Sequence, residues 1–321
     1  MSEVYLSIII VNWNTGGLLR RSVESILRHP PGCTYEIVVV DNASEDDSID
    51  LVRDLPVSLL LNRHNVGFSR ANNQAIRRTT APYLLLLNPD TEVYAGSLDR
   101  LLAAMKADSR AAVAGARLHQ SDGRLQVSVR HNPPNPLVTL ADGLLLCYLV
   151  PQPWRGEWLL DRHWDHARLR AVPRVSGCAM LVRRAAVHQA GLLDESYHLY
   201  GEDDEWCLRF RRHGWKVLFV PDSVVLHHRH QSGLVRWGRD GLAHQIVSSR
   251  LRQQFKSLPR STYVANLVAT LAVNGPALAW RKLRGGSDAA DTPLVSARWR
   301  LYWHELLGRL TRRRWPSAMV E

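Results

Sequence analysis

Leu6–Val11, with the sequence LSIIIV, is the first of four short apolar runs that decide the fold of this chain. The others are IVVV at Ile37–Val40, VSLLL at Val57–Leu61 and YLLLL at Tyr83–Leu87. Each run is largely apolar on both of its alternating faces, so neither face suits contact with water. Such runs are typical of the strands of a parallel sheet that is buried beneath helices.

Helix-like stretches separate these runs. Gly17–Arg28 and Ser69–Arg78 are predicted helices, Asp47–Asp54 is a shorter one, and Ser97 can cap a further helix that extends to Lys106. The alternation of strands and helices predicts an open α/β sheet. Ligands of such sheets bind at the carboxyl ends of the strands.

From Leu118 to Arg174 the alternation fails, and six prolines and three tryptophans punctuate the chain. This segment is either a flap that faces the substrate or a folded excursion that covers the edge of the sheet. Beyond it we expect a strand over Ala179–Val182, a helix that runs from an acidic cluster to His213, and a strand over Lys216–Val220.

The net charge of +11 is unevenly distributed along the chain. Residues 1–230 contain 26 Lys and Arg against 25 Asp and Glu, whereas residues 231–321 contain 15 against 5. The sequence beyond Gly238 is also helix-like, so two domains are predicted: a neutral one over residues 1–238 and a basic helical region over residues 239–321. The excess charge favours an anionic partner, either a membrane surface, a nucleic acid or an acidic substrate. No nucleic-acid-binding module is recognisable, so we expect no nucleic acid.

The end of the basic region contains the candidate membrane element. Tyr263–Trp280 is mostly apolar but includes two asparagines, a glycine and a proline, which favours a buried or interfacial helix over a membrane span. Arg298–Trp315 combines six arginines with three tryptophans. That composition is typical of an amphipathic helix on an anionic bilayer, and the alternative is a solvated helix docked on the neutral domain.

The spacing of the cysteines and the first residues of the sequence predict the cellular compartment. Cys33, Cys147, Cys178 and Cys207 lie far apart, so we expect free thiols in a reducing compartment, neither zinc ligands nor disulfides. No basic segment precedes the first apolar run, which predicts no signal peptide. We therefore expect a cytoplasmic protein, with peripheral attachment to the inner face of the cell membrane through the basic region.

Two common nucleotide-binding motifs are missing. Neither G-x-G-x-x-G after the first strand nor G-x-x-x-x-G-K-[ST] occurs, which argues against a nicotinamide-dependent dehydrogenase and a P-loop ATPase.

Polar side chains follow three of the apolar runs instead. The carboxylate of Asp41 can accept a hydrogen bond from a nucleobase imide or a ribose hydroxyl, although a helix N-cap explains it too. Asn72 lies in the next helix, where amides can bind phosphate or sugar oxygens or simply belong to a capped helix. After the last run come Asn88 and Asp90. Asp90 can bind a divalent cation that holds a diphosphate, while a plain turn accounts for the same residues.

Two later clusters add ionisable groups. Glu202–Glu205 is a run of four carboxylates at the start of a predicted helix. One or two would suffice to favour the helix dipole, whereas four repel one another and push some pKa values upward, as a general base requires. His227, His228 and His230 follow the strand-like Ser223–Leu226 and favour metal or diphosphate binding, with a surface histidine cluster as the alternative.

In order and spacing, seven segments resemble the inverting family 2 nucleotide-sugar glycosyltransferases, particularly their bacterial rhamnosyltransferase-like branch. They are SIIIVNWN (Ser7–Asn14), VVVDNAS (Val38–Ser44), NVGFSRANNQAI (Asn65–Ile76), LLLLNPDT (Leu84–Thr91), VSGCAMLVRR (Val175–Arg184), GEDDEWCLRFRRHGWKVLFVP (Gly201–Pro221) and HHRHQS (His227–Ser232). The resemblance implies an α/β protein with the GT-A fold, an open mixed sheet flanked by helices. A basic helical extension would follow at the C-terminal end.

The resemblance also implies roles in donor binding. Asp41 matches the aspartate that contacts the nucleobase, and Asn72 matches a residue near the ribose or the diphosphate. Asp90 matches the last acid of the metal-binding D-x-D motif. Asn88 stands where the first acid is usual, which lowers the charge of the donor site. If Ser232 ends the family's H-x-x-G-x-S motif, His227 is the histidine on the metal side.

The implied reaction is a single displacement with inversion. Asp203 matches the catalytic base, with Glu202 beside it, and removes the proton of an acceptor hydroxyl. That hydroxyl attacks the anomeric carbon opposite the leaving nucleoside diphosphate. Mg²⁺ or Mn²⁺ held by Asp90 and His227 would stabilise the diphosphate. The expected donor is dTDP-rhamnose or a UDP-sugar, and the acceptor is a glycan or lipid-linked hydroxyl in cell-surface polysaccharide synthesis.

Two other functions compete with this one. A sugar-1-phosphate nucleotidyltransferase also uses an α/β sheet, but it needs a basic, glycine-rich loop after the first strand, and here no basic residue precedes Arg20. A non-enzymatic membrane-surface binding protein would explain the basic tail and leave the ordered motifs unexplained.

Overall fold

The computed structural model describes residues 3–131, 133–152, 154–197, 199–228, 231–283 and 292–310. The chain divides into two compact units. Unit 1 contains residues 1–130 and 165–232, and unit 2 contains residues 131–164 and 233–321.

Unit 1 is built on a sheet of ten strands among the described residues. The strands are β1 (Leu6–Asn12), β2 (Tyr35–Asp41), β3 (Ser58–Leu61), β4 (Tyr83–Leu87), β5 (Thr91–Val93), β6 (Ala111–His119), β7 (Leu125–Gln126), β8 (Arg170–Ala171), β9 (Ala179–Arg183) and β10 (Lys216–His227). Their order is β3-β2-β1-β4-β9-β6-β10-β5, with β7 beside β6 and β8 beside β10.

The sheet is mixed, and its strand directions locate the site. β1 to β4 run parallel to their neighbours within the order β3-β2-β1-β4. β9 is antiparallel to both β4 and β6, and β10 is parallel to β6. β6 and β10 therefore run in the same direction as β4. Consequently the carboxyl ends of β1, β2, β4 and β10 lie at one edge of the sheet.

The described residues of the two units also form helices. They are α1 (Gly17–Arg28), α2 (Phe68–Arg78), α3 (Ser97–Ala107), α4 (Pro136–Gly143), α5 (Trp154–Leu159), α6 (Arg184–Ala190), α7 (Glu202–Arg212), α8 (Gln231–Ser257), α9 (Arg260–Leu283) and α10 (Thr292–Leu310). Both faces of the sheet are buried. Ile8 and Ile9 lie on opposite faces of β1 and are each 0% exposed, which explains why the strands are apolar on both faces. Full burial of such a side chain contributes about 1.5–3 kcal/mol.

The fold confirms the predicted α/β sheet and corrects three local expectations. Asp47–Asp54 contains only one 3₁₀ turn, at Asp50–Val52. Gly96, with a φ of 72°, takes the N-cap position of α3, because the Ser97 hydroxyl instead donates to the carbonyl of Val224 at 2.6 Å. The two strands expected after Gly214 are one strand, β10, with a register shift between Val220 and Val224.

Unit 2 combines the proline-rich insertion with the C-terminal helices. Asn266 of α9 donates a hydrogen bond to the carbonyl of Pro134 at 3.1 Å. Gly143 of α4 lies so close to Val273 that a Cβ on the glycine would be 2.2 Å from a valine methyl. The insertion therefore packs on α9. The sequence-based boundaries, residues 1–238 and 239–321, had grouped residues 131–164 with the first domain.

The described part of the predicted membrane helix, α10, contributes to the core of unit 2. Ala297 and Tyr302 are buried there with Leu267 of α9. The Tyr302 hydroxyl accepts a hydrogen bond from Gln254 at 2.8 Å. Trp315 and its arginine neighbours lie outside the described residues. Within the described ranges, no helix has the length and apolar character needed to cross a membrane.

Candidate active site

Polar residues gather where the strands of unit 1 end. β1 ends at Asn12, β2 at Asp41 and β10 at His227, while Asn88 directly follows β4. All four positions belong to the sheet edge at which open α/β sheets bind their ligands.

Asp41 is 5% exposed, and its neighbours fix the orientation of its carboxylate. Oδ1 accepts hydrogen bonds from Asn12 Nδ2 at 2.9 Å and from the Ser44 hydroxyl at 2.6 Å, and Oδ2 accepts one from the Ser44 amide at 3.0 Å. No helix begins at Ser44, so the bond to its amide closes a turn and caps no helix. A carboxylate has about four acceptor positions. These three bonds therefore leave room for a ligand donor.

Asn72 is buried in α2, where its Nδ2 donates to the carbonyl of Phe68 at 3.0 Å. Its neighbour Asn73 exchanges hydrogen bonds with the backbone of Leu193 at 2.9 and 3.1 Å and thereby ties α2 to the segment after α6. The side-chain amides of Asn72 and Asn73 thus make hydrogen bonds that stabilise the fold. The donor-binding role of Asn72 stays a prediction.

Asp90 and His227 are distant in sequence but adjacent in the fold. Antiparallel pairing of β10 with β5 sets His227 opposite Thr91, next to Asp90. Nε2 of His227 lies 3.2 Å from Oδ1 of Asp90 and 3.5 Å from Nδ2 of Asn88. Asp90 and His227 are both buried. Three of the predicted site residues therefore meet at one point.

The His227 ring has an acceptor beside each nitrogen. Nδ1 lies 2.9 Å from Oε1 of Gln126, and Nε2 faces Asp90. Burial alone lowers the pKa of His227, but the neighbouring Cys178 and Asp90 outweigh burial and raise it to about 10.

The Asp90–His227 pair fits one divalent cation. Neighbouring ligands of an octahedral ion lie about 3 Å apart when each metal–ligand bond is about 2.1 Å long. The two ligand atoms here are 3.2 Å apart. One carboxylate and one imidazole leave the other positions for water and phosphate oxygens, as is usual for Mg²⁺ or Mn²⁺ at nucleotide sites. The imidazole must lose its proton to bind the ion.

A second group with metal-ligand chemistry lies in unit 2. Asp142, Cys147 and His163 place an oxygen, a sulfur and a nitrogen within 4.8 Å of one another. Hydrogen bonding relates them: His163 Nε2 lies 2.7 Å from Asp142 Oδ1, and the Cys147 thiol donates to the same oxygen at 3.8 Å.

Three of the four carboxylates at the start of α7 are paired with arginines. The pairs are Asp203–Arg174, Asp204–Arg174 at 2.6 Å, Asp204–Arg130 at 2.6 Å and Glu205–Arg209 at 2.6 Å. The four acids therefore do not simply repel one another, because arginines offset most of their charge.

Arg174 and the backbone fix the orientation of the Asp203 carboxylate. Oδ2 accepts hydrogen bonds from Arg174 and from the Gly177 amide at 3.0 Å, and Oδ1 accepts one from the Asp204 amide at 2.8 Å. Burial lowers the pKa of Arg174, but Asp203 and Asp204 raise it above its ordinary value. Asp203 thus faces a permanent cation, and its side chain keeps 16% of its surface exposed.

Glu202 has different surroundings. It is buried, and its Oε2 has no hydrogen-bond partner among the described residues. Burial, followed by the charge of Asp203, raises the pKa of Glu202 well above its ordinary value. Burial, followed by the charges of Glu202, Cys178 and Asp90, also raises the pKa of Tyr200. The raised pKa predicted for the cluster is therefore found at Glu202.

Sequence reasoning missed Arg174, Gln126 and Tyr200. No motif indicates an arginine that pairs with acids 29 residues further along the chain, and Gln126 belongs to a two-residue strand. Tyr200 carried one signal, its position directly before the acidic cluster. Its φ of 67° is unusual for a residue other than glycine.

Comparison with known families and proteins identifies the chain's relatives. The family model for glycosyl transferase family 2 matches residues 7–190. The N-acetylglucosaminyl-diphospho-decaprenol L-rhamnosyltransferase of Mycobacterium tuberculosis is 30% identical over 261 residues, covering 76% of this chain and 81% of that protein. The low-salt glycan biosynthesis hexosyltransferase Agl10 of Haloferax volcanii is 27% identical over 64% of this chain and 62% of its own length.

Solved structures share the fold at lower identity. A mannosyltransferase of Pyrobaculum calidifontis, in complex with GDP-Man and Mn²⁺, superposes with a TM-score of 0.57 at 17% identity, covering 97% of this chain and 85% of that one. GalNAc-T7 with UDP, GalNAc and Mn²⁺ gives a TM-score of 0.52 at 19% identity, covering 70% of this chain and 43% of that one. Both are GT-A glycosyltransferases. With the family match and the rhamnosyltransferase relative, these likenesses establish that the chain belongs to glycosyl transferase family 2, as a rhamnosyltransferase-like enzyme with the GT-A fold.

Proposed function

We propose that this enzyme transfers a sugar, with inversion, from a nucleoside diphosphate donor to a hydroxyl of a glycan or lipid-linked acceptor in cell-surface polysaccharide synthesis. The observation that carries the proposal is the contact between Asp90 and His227 at the carboxyl edge of the sheet. A paired carboxylate and imidazole at that edge suit a cation that binds a diphosphate. Family membership favours this function over the nucleotidyltransferase and over a non-enzymatic membrane protein.

The relatives support a choice of donor and acceptor classes to test. The mycobacterial relative is named for L-rhamnosyl transfer to a decaprenyl diphosphate-linked sugar, and the archaeal one is a hexosyltransferase of glycan biosynthesis. We therefore propose dTDP-rhamnose as the first donor to test, UDP-sugars as the second, and a lipid-linked saccharide as the acceptor.

The donor's parts are assigned along the sheet edge. Asp41 has one acceptor position left after three internal hydrogen bonds, which suits the imide N–H of a thymine or uracil. Asn72 is assigned to the ribose or the diphosphate. Asp90 and His227 would hold a Mg²⁺ or Mn²⁺ ion, whose positive charge would stabilise the leaving diphosphate. Asn88 lies beside this pair and keeps the site less negative than a second acid would.

Proton removal is assigned to the start of α7. Asp203 is exposed enough to meet an acceptor hydroxyl and accepts its proton as the hydroxyl attacks the anomeric carbon. Arg174 acts as a positioning residue, because its hydrogen bond fixes the orientation of the Asp203 carboxylate. Glu202 is the competing base, since its raised pKa suits proton transfer and one of its oxygens is unpaired among the described residues.

The test is a transfer assay with anomeric analysis. Purified protein is incubated with dTDP-rhamnose or UDP-sugars, Mn²⁺ and a soluble acceptor analogue, and the product is examined by NMR. The account expects transfer from one nucleotide class with inverted anomeric configuration. Retention of configuration, or transfer from none of the donors, would contradict it.

The choice of base is tested with matched carboxylate variants. Asp203→Asn and Glu202→Gln are compared with Glu205→Gln, which removes a carboxylate of the same helix turn that is already paired with Arg209. If Asp203 is the base, only its variant loses transfer while donor binding persists. Loss confined to Glu202→Gln would move the role to Glu202.

The positioning role of Arg174 has a separate readout. Arg174→Lys keeps a positive charge but loses the two-sided contact with Asp203 and Asp204. We expect kcat to fall while the KM for the donor stays unchanged, because Asp203 is no longer held in place. A purely structural role would lower the amount of folded protein and leave kcat per folded molecule unchanged.

A further inference from the structure

The insertion in unit 2 presents an unusual apolar surface to solvent. Seventeen large hydrophobic side chains are exposed among the described residues, and eight of them fall within residues 137–158. They are Leu137, Leu144, Leu145, Leu146, Tyr148, Leu149, Trp154 and Trp158. We call these eight side chains the insertion surface. Such a concentration of exposed apolar side chains marks an interaction site in soluble proteins.

The short helices of the insertion explain why these side chains point outward. In the 3₁₀ turn Leu146–Leu149, Cys147 alone is buried, so the other three residues face solvent. In α5 the buried residues are Gly156 and Leu159, which leaves Trp154 and Trp158, one helical turn apart, on the opposite side. Each element therefore buries one or two residues and exposes its other large apolar side chains.

Polar contacts show that the insertion surface is built and not a frayed loop. The Asn135 side chain caps α4 by accepting a hydrogen bond from the Leu137 amide at 2.9 Å. Gln152 donates to the carbonyl of His163 at 3.0 Å. The guanidinium of Arg155 lies 4.6 Å from the centre of the Tyr148 ring, where a cation is favoured.

The net charge of unit 2 indicates which kind of partner the insertion surface contacts. Unit 2 contains 17 Lys and Arg against 8 Asp and Glu, a net charge of +9, whereas unit 1 has 24 against 22. An anionic bilayer offers negative headgroups and an apolar interior next to them. Leucine, tryptophan and tyrosine are the side chains that settle at that boundary.

We infer that the insertion surface enters the headgroup region of an anionic bilayer and holds the enzyme where its acceptor is found. The inference rests on the proposed lipid-linked acceptor. It assigns the apolar part of membrane contact to residues 137–158, since Ala297 and Tyr302 of α10 are buried within unit 2. Basic side chains of unit 2 supply the electrostatic part, worth about 1 kcal/mol each close to the surface.

Vesicle binding by matched triple variants tests this inference. The full chain is compared with Leu145→Ser/Leu149→Ser/Trp154→Ser and with a control, Leu61→Ser/Tyr94→Ser/Leu169→Ser, whose three positions are exposed in unit 1. Binding is measured by co-sedimentation with phosphatidylcholine vesicles that contain or lack phosphatidylglycerol. We expect partition of the full chain onto the anionic vesicles and at least about tenfold weaker partition of the insertion variant, since about 1.4 kcal/mol corresponds to tenfold. The control should bind as the full chain does.

A spectroscopic arm reports insertion itself. Brominated lipids should quench the tryptophan fluorescence of the full chain more than that of Trp154→Phe/Trp158→Phe. Equal vesicle binding by the insertion and control variants would overturn the inference. Failure of the full chain to bind either kind of vesicle would also overturn it. A full chain that is dimeric while the insertion variant alone is monomeric would overturn it too, because a second copy would then cover the insertion surface.

Transfer to a soluble acceptor, measured on the same variants, separates this inference from the proposed function. Both triple variants should retain it. If neither the full chain nor either variant transfers sugar while vesicle binding is as expected, the proposed function is wrong and the inference about the insertion surface is retained. If transfer is normal and the insertion variant binds vesicles as the full chain does, the inference about the insertion surface is wrong and the proposed function is retained.

Discussion

The two units place their polar and apolar side chains in opposite ways. In unit 1 apolar residues fill the sheet, and ionisable residues are buried or nearly so in pairs such as Asp90 with His227 and Asp203 with Arg174. In unit 2 large apolar side chains such as Leu149 and Trp154 are 80% and 73% exposed, and the net charge is strongly positive. Buried, paired charges have a fixed orientation, which suits the catalytic role that we propose for them, whereas the exposed leucine and tryptophan suit the attachment that we infer. The difference indicates that catalysis and placement can be altered separately.

The largest expected effect separates catalysis from placement. Asp203→Asn should lower kcat about 10²–10⁴-fold because the acceptor hydroxyl loses its base. Donor binding and vesicle binding should be unchanged, as measured by calorimetry and co-sedimentation. Loss of vesicle binding by this variant would contradict the separation of the two units' roles.

Much of unit 1 was predictable because its signals are local. Gly17–Arg28 and Tyr83–Leu87 have the expected bounds, since an amphipathic or continuously apolar run carries its own secondary structure. The division of the chain into two units was less predictable from the sequence. The insertion joins unit 2 through contacts such as Asn266 with Pro134, which are separated by 132 residues, and periodicity carries no information about such pairs.

The site shows the same limit. Asp41, Asn88, Asp90 and His227 each end or follow a strand, so their shared edge follows from strand direction. The pairing of Arg174 with Asp203 and Asp204 does not, because a long arginine side chain can reach partners from many backbone positions. The proline-rich segment around it gave no periodic pattern from which its direction could be inferred.

Removing Arg174 should be the most destabilising of the changes proposed for unit 1. Arg174→Ala leaves Asp203 and Asp204 as buried or partly buried carboxylates without this partner, at a cost of about 3–5 kcal/mol in the free energy of unfolding. Urea denaturation measures it. Arg53→Ala, which removes an exposed pair with Asp50, is the control and should cost less than about 1 kcal/mol. Equal effects would mean that the buried pairs are not important to the fold.

Glu202 should give a smaller, pH-dependent effect. Its folded pKa lies above the ordinary value of 4.5, so folding is favoured by protonation and this contribution is lost as pH rises from 4.5 through the folded pKa. Glu202→Gln imitates the protonated form and should raise the free energy of unfolding at neutral pH. The gain should vanish below pH 4.5. A gain that is constant with pH would show that burial does not perturb this carboxyl.

The smallest effect is expected in α10. Trp303 and Leu307 are 43% and 42% exposed, less than most of the insertion surface. Trp303→Ser/Leu307→Ser should therefore weaken vesicle binding by less than about tenfold, well short of the effect of the insertion variant. Truncation after Arg284 is a poorer test of the tail, since it also removes Ala297 and Tyr302 from the core of unit 2. A larger loss with the α10 variant than with the insertion variant would return the membrane role to the C-terminal helix.

The claim that unit 1 binds a nucleoside diphosphate through a cation at Asp90 and His227 is tested most directly by calorimetric titration. dTDP and UDP are titrated into the full chain with Mn²⁺ and with EDTA, and into Asp90→Ala and Asp203→Asn with Mn²⁺. We expect binding that requires Mn²⁺, is lost in Asp90→Ala and persists in Asp203→Asn. Equal affinity with Mn²⁺ and with EDTA, or unchanged Mn²⁺-dependent binding by Asp90→Ala, would contradict it.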